Sequence, residues 1–154
     1  MLTNTFAQRV NVGVDVDMNG SNGSYQLCIG DVHEVNGVLG VVFAVSKDGR
    51  HGKVVSLSQR RTDWYTAANW CENLGRNWRL PTTSELQTIY GLLKNSNQFW
   101  GGLSFADEPF YNWWYWSSNE DHDGTAAEVL NIEYGSTRNL RKDYDNYVRA
   151  VCAF

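Results

Sequence analysis

Between residues 63 and 93 the hydrophobic period lengthens from two to 3.6, and beyond them it shortens again. Trp64, Ala67, Ala68, Cys71 and Leu74 recur at helical spacing behind Asp63 or Thr62 as a cap, and Gly75 ends the run. A second helix starts at Thr82 or Thr83. Thr82-x-x-Glu85 is a capping box, Pro81 precedes it, and Leu86, Ile89, Tyr90 and Leu93 form its apolar stripe. On both sides of this pair the apolar residues alternate or form short β-branched runs. Strands at both ends and two helices between them predict an α+β fold, with two helices packed against small antiparallel sheets and a loop-rich C-terminal half.

The strand runs can be placed. Val10, Val12, Val14 and Val16 alternate with polar or Gly positions, the signature of a strand with one buried face. Tyr25–Ile29 reads as a short strand, and Val38–Val45 and Val54–Leu57 flank Lys47-Asp-Gly-Arg-His-Gly52. Asp48-Gly49 predicts a hairpin with a type I′ turn. In the tail, Val129, Leu130, Ile132 and Tyr134 suggest a strand, with Gly135 as a turn. Tyr147–Phe154 reads as a final strand, with Val148, Ala150 and Cys152 on one face and Arg149, Val151 and Ala153 on the other. The polar segment 136–146 between these strands belongs on the surface, where binding residues tend to sit.

Composition excludes several classes. The 154 residues suit one domain, and 42% apolar content can fill a core. A net charge of −4 argues against a nucleic-acid binder held by the phosphate backbone. The tail from Ser117 to Tyr147 carries seven acids and three bases, so it accounts for all of that charge. No apolar run is long enough to span a membrane, and MLTNTFAQRV has no signal-peptide core. Such a start fits a chain not secreted by itself, a processed chain, a fragment or a virion component. Nine of the twenty-one aromatics fall within 99–116. Trp113-Trp114-Tyr115-Trp116 alternates faces, so most of this block is expected in the core rather than on a sugar-stacking platform. Cys28, Cys71 and Cys152 are compatible with one disulfide plus a free thiol or with three reduced thiols. Cys71 lies on the helix stripe and is expected to pack.

Catalytic patterns are scarce. His33, His51 and His122 lack metal-ligand spacing, and no nucleophile elbow or phosphate-cradling loop is present. The chain therefore reads as a non-enzyme without a cofactor. Asp15, Asp17 and Asn19, followed by Gly20, copy the first half of a calcium loop. Gln26 stands where the bidentate carboxylate is required, and the flanks are not helical, so a turn is preferred to a metal site.

In order along the chain come Tyr25-Gln-Leu-Cys-Ile-Gly-Asp31, Gly40-Val-Val-Phe43, Asp48–Leu57, the Trp64…Leu74 helix, Trp78-Arg-Leu-Pro-Thr-Thr-Ser-Glu-Leu86, Tyr115-Trp-Ser-Ser118 and Tyr147-Val-Arg-Ala-Val151. This series resembles the C-type-lectin-like domains of bacterial and phage surface proteins. More narrowly, it is similar to the variable proteins of diversity-generating retroelements, which share the formylglycine-generating-enzyme variant of that fold. The resemblance spans about Tyr25 to Phe154. It implies a ligand-binding domain over 25–154, a variable region at about 117–147, and a strand-and-turn segment at 1–24 for oligomerisation or linkage.

The resemblance also implies a division within the tail. Trp116-Ser-Ser-x-Glu120, Gly135, Lys142 and Tyr147-Val-Arg149 match the fixed framework. Asp121, His122, Gly124, Thr125, Asn131, Ser136, Arg138, Asn139, Leu140, Arg141, Asp143, Tyr144 and Asn146 fall at positions open to adenine-directed replacement of Asn-type codons, and form the implied ligand-binding set. Glu128 and Glu133 fit that scheme less well. Tyr144 with Arg138 or Arg141 would anchor a contact surface, since aromatic and Arg side chains dominate hot spots. The implied ligand is a protein or glycan on a cell, displayed against from a virion or cell surface, with a homo-oligomer as the expected assembly.

Three other functions compete. A formylglycine-type oxidase would need an active-site Cys pair, whereas the last strand offers only Cys152. A calcium-dependent sugar lectin would need Glu-Pro-Asn or Gln-Pro-Asp and a Trp-Asn-Asp triplet; here Glu108-Pro109 is followed by Phe110. A structural domain of a phage tail or fimbrial tip is the remaining alternative.

Overall fold

The computed structural model describes residues 10–11 and 26–154. The elements run β1 (Val10–Asn11), β2 (Val32–Val35), β3 (Val38–Val45), β4 (Gly52–Ser56), β5 (Arg60–Thr62), α1 (Trp64–Leu74), α2 (Thr83–Asn95), α3 (Asn97–Leu103), β6 (Trp114–Glu120), β7 (Ala126–Asn131), β8 (Thr137–Arg141), β9 (Asn146–Val148) and β10 (Val151–Ala153). One sheet has the order β1-β2-β3-β4-β10 and the other β5-β9-β6-β7-β8. The expected α+β architecture is present, with a third, short helix that the sequence reading did not contain. Of the alternating valines, only Val10 is described; with Asn11 it pairs parallel with Val32 and His33. The rest of that run, and the calcium candidates Asp15, Asp17 and Asn19, lie outside the described residues.

The helices begin where their caps predict. The Asp63 carboxylate accepts the Thr66 N–H at 3.0 Å and the Thr66 hydroxyl at 2.7 Å. Those bonds hold its pKa below the usual carboxylate value. The capping box of α2 is closed both ways: Glu85 N–H donates to Thr82 Oγ1 at 3.1 Å, and Thr82 N–H donates to Glu85 Oε1 at 2.8 Å. Glu85 also receives Arg79 and Lys53. Gly75 ends α1 for want of space rather than for a left-handed backbone. Its φ is 176°, and an added Cβ would lie 2.9 Å from the Asn36 carbonyl oxygen.

Four local expectations are corrected. Residues 26–31 form no strand; they turn, with Asp31 N–H donating to the Cys28 carbonyl, and the strand is β2, one turn later. The β3–β4 connection is not a two-residue type I′ turn, because only Gly49 has positive φ (68°). It is a wider loop in which His51 N–H donates to Ser46 Oγ and Ser46 Oγ–H to Asp48 Oδ1. The polar segment 136–146 contains β8, paired antiparallel to β7 with Arg138 opposite Val129. The final apolar run is two strands in two sheets: β9 pairs with β5 and β6, and β10 with β4.

That last break organises the core. Val148, Ala150 and Cys152 enter one buried cluster with Trp78, Trp116, Ala67 and Cys71. Val151 enters a second cluster with Leu86, Ile89, Phe99 and Tyr115. The predicted alternation of faces therefore holds, and its two faces meet two separate cores. Within the aromatic block, Tyr115 and Trp116 are fully buried on opposite sides of β6, whereas Trp100, Phe105, Tyr111 and Trp113 remain exposed. No helix among the described residues is long and apolar enough to cross a membrane.

Candidate ligand-binding surface

β8 is an edge strand of the second sheet, and its polar sequence suits an edge that faces water. Beneath and beside it the framework residues bond inward. Trp116 donates its indole N–H to the Thr62 carbonyl at 2.9 Å, and Trp64 donates to the Ser117 carbonyl at 2.9 Å. Ser117 Oγ–H donates to the Glu128 carbonyl, and Thr83 Oγ1 bonds Glu128 Oε2 at 2.8 Å. The fully buried Arg149 donates to the Ser56, Leu57 and Glu108 carbonyls and to Gln59 Oε1, and stacks over Phe110. Desolvation lowers its pKa from the free guanidinium value. Gly135 has φ +73°, and an added Cβ would run into the Tyr90 ring.

The thirteen implied contact residues do not form one surface. His122, Thr125, Ser136, Arg138, Asn139, Arg141, Asp143 and Tyr144 are exposed, and Asp121, Gly124 and Leu140 are half-buried. Asn131 and Asn146 are buried, contrary to the expectation for contact residues. Asn131 Oδ1 accepts the Glu133 and Tyr134 N–H groups, so its side chain builds the turn after β7. Asp121 does similar work before β7: its Oδ1 accepts the Ala126 N–H at 3.1 Å, in a turn where Gly124 has φ +74°. In that turn the exposed Asp123 carboxyl is held below its ordinary pKa by hydrogen bonds from Thr125.

Strand geometry splits the remainder. Along β8, Arg138 and Leu140 share the face of Val129 and Ala127, while Asn139 and Arg141 share that of Glu128 and Ala126. A flat ligand therefore meets one subset at a time. The Arg138 guanidinium lies 4.3 Å from the Trp114 ring centre. Arg141 donates to Asp143 at 2.6 Å and approaches the Tyr144 ring.

On the Arg138 face lies an open depression of about 500 Å³, bounded by Arg138, Leu140 and Asp143–Asn146 and also by Arg61, Trp113 and Trp114. The last three were missed in the sequence reading. Trp113 is 45% exposed, at the start of a run in which Tyr115 and Trp116 are buried. Its membership of the alternating run gave no signal of this, because periodicity alone does not say which aromatic of a cluster is left outside. Cys28 is exposed, and Cys71 and Cys152 are buried; all three are free thiols. Among the described residues no group of three or more His, Cys, Asp or Glu side chains could hold a metal ion.

A family model described as the Lcl C-terminal domain matches residues 43–152. No curated protein matches the sequence. Two solved C-type-lectin-like proteins align with the chain. One is botrocetin, at 16% identity and a TM-score of 0.40, covering 70% of this chain and 93% of that one. The other is EMS16, an antagonist of the collagen receptor integrin alpha2beta1, at 14% identity and a TM-score of 0.38, covering 72% of this chain and 95% of that one. With more than half of its length inside the family model, the chain belongs to the Lcl C-terminal domain family.

Proposed function

We propose that this protein is a non-catalytic display domain that binds a macromolecule, a protein or glycan on a cell surface, through β8 and the loops at 121–125 and 143–146. In this reading a retroelement diversifies the exposed positions, and the domain works from a virion or cell surface. The observation that carries it is the contrast within one short segment. Arg138, Asn139, Arg141, Asp143 and Tyr144 point outward, while Lys142 between them is tied inward. Substitution at such exposed positions costs little stability, so a framework of this kind tolerates replacement of its contact residues. The oxidase alternative gains nothing from the thiols: burial pushes Cys71 up to about 12, away from thiolate chemistry at neutral pH.

The test is partner capture from cell-surface extracts by the full chain and by a triple Ala variant at Arg138, Arg141 and Tyr144, with circular dichroism to verify folding. Loss of capture in a folded variant supports the surface, and unchanged capture removes it. Diversification is tested at the encoding locus. A near-copy of the last codons beside a reverse transcriptase gene, differing at adenines, is expected; its absence overturns that part.

A further inference from the structure

We propose that the depression between Arg61, Trp113, Arg138 and Asn146 is a carboxylate pocket that takes a Glu or Asp side chain from an extended segment of a protein partner. This rests on the reading of β8 as part of the binding surface, and it names the chemistry of the group bound there.

The argument starts from unused donors. The Arg61 side chain makes no hydrogen bond or ion pair among the described residues; its guanidinium only passes 5.9 Å from the Tyr147 ring centre. Arg138 makes none either. Its guanidinium carbon lies 4.3 Å from the Trp114 ring centre, a contact that holds the group in place without using its N–H donors. Asn146, only 3% exposed, lines the same depression, and its Nδ2 is buried with no hydrogen-bond partner. A buried amide donor without an acceptor is rare in folded proteins. Two exposed guanidinium groups lacking acceptors therefore border one depression, and the Asn146 side chain with its buried, unpaired amide lies in its wall. Guanidinium forks match a carboxylate in plane and spacing.

The surroundings select the bearer of that carboxylate. Asp143 and Asp145 line the same depression; Asp143 is already paired with Arg141, and Asp145 is exposed. The chain carries −4 overall. A dense polyanion would meet these carboxylates at each repeat, while a single carboxylate on an otherwise neutral segment meets them once, where two guanidinium groups offset them. Trp113 and Tyr144, 45% and 51% exposed, give the walls an apolar character that suits a peptide with an aromatic or aliphatic neighbour beside its acid.

The test is a titration of the ¹⁵N-labelled full chain followed by two-dimensional NMR of the Asn146 side-chain amide and the Trp113 indole. The probes are a capped Phe-Glu-Gly peptide, its Phe-Gln-Gly counterpart and an oligouronate. The Glu peptide is expected to shift both signals and to bind about tenfold more tightly than the Gln peptide. Arg61→Gln and Arg138→Gln are each expected to lower that affinity by a similar factor. Equal binding of the Glu and Gln peptides, no shift at these two signals, or tighter binding of the oligouronate would each overturn the assignment. Failure of the pocket can be told from failure of the surface, because Arg61 lies outside the triple variant. If that variant loses its partner while Arg61→Gln retains it, the surface stands and the pocket falls.

Discussion

Lys142 Nζ donates to Glu120 Oε2 at 2.6 Å, and the same ammonium lies 4.2 Å from the centre of the Trp64 ring. The Lys142 side chain is only 5% exposed, although its neighbours Arg141 and Asp143 face water. Its carbonyl accepts the Trp64 N–H at 2.9 Å, at the start of α1. One residue thus fastens the end of β8 to the first helix by charge, by ring contact and by backbone. The segment that displays side chains is held by the one that turns away.

Lys142→Ala is expected to cost about 2–3 kcal/mol, since it removes a charge-assisted bond and a cation–π contact and empties a buried site. Thr137→Ala and Asn139→Ala, exposed on the same strand, should stay within about 0.5 kcal/mol of the parent. Urea unfolding of the three variants checks this, and similar costs at all three would refute the division between anchor and display.

Arg149 carries a second expectation. It is fully buried, forms no ion pair among the described residues, and satisfies three carbonyls and the Gln59 side chain. Arg149→Met would remove this donor from the three carbonyls, while Gln59 Oε1 keeps the Tyr115 hydroxyl, at about 3–5 kcal/mol. Arg149→Lys keeps a positive charge but loses the planar fork, so its unfolding midpoint should fall between the two. A Lys variant as stable as the parent would mean that charge alone, not the fork, holds these loops.

The sequence made α1 and α2 plain because both carry side-chain caps and a stripe long enough to show the helical period, whereas α3, with a cap but only seven residues, does not. Asp63, Thr82 and Glu85 act locally, so a local pattern suffices to find them. β8 was hidden because Thr-Arg-Asn-Leu-Arg has no buried face to impose alternation; only its pairing with β7 makes it a strand. The break between β9 and β10 was equally hidden. Arg149 and Ala150 are both buried, so the one charged residue at the break sits inside, and no glycine or proline marks where the chain changes sheets. At the candidate surface, composition located the region but not its inward members. Asn131 and Asn146 have the same chemistry as Asn139, and only the pairing of β7, β8 and β9 sends the first two inside.

Gly135 and Ser136 are adjacent, yet they should respond oppositely to substitution. Gly135→Ala places a side chain at φ +73° and against Tyr90, with an expected loss of about 2 kcal/mol or more. Ser136→Ala, at an exposed site, should be near neutral. Thermal unfolding of both variants decides, and a neutral Gly135→Ala would mean that the turn after β7 is not held by Tyr90.

The thiols separate cleanly by environment. Iodoacetamide at pH 8 should modify Cys28 in the native protein and leave Cys71 and Cys152 unreacted until denaturation. Burial raises both inner thiols, Cys71 to about 12. Mass spectrometry before and after unfolding measures this. Rapid native labelling at Cys152 would contradict its burial and reopen the oxidase reading.

Glu85 links pH to stability. Burial pushes its carboxyl up, but hydrogen bonds from Arg79, the Thr82 N–H and Lys53 more than offset this and hold it at about 2, below the ordinary 4.5. A lowered folded-state pKa stabilises the protein fully above the unfolded value and loses that contribution as pH falls through the folded one. Glu85→Gln keeps an amide oxygen for the Thr82 N–H of the capping box but turns an NH2 toward Arg79 and Lys53, so it removes the charge together with the Oε2 acceptor. Arg79 and Lys53 are each about two-fifths exposed, at 44% and 41%, which screens the pair and limits the cost at pH 7 to about 1–2 kcal/mol. Urea unfolding of parent and variant between pH 7 and 2 should give a constant gap above about 4.5 that narrows toward 2. A gap that stays constant across the acidic range would show that Glu85 acts through its hydrogen-bond geometry and not through its charge.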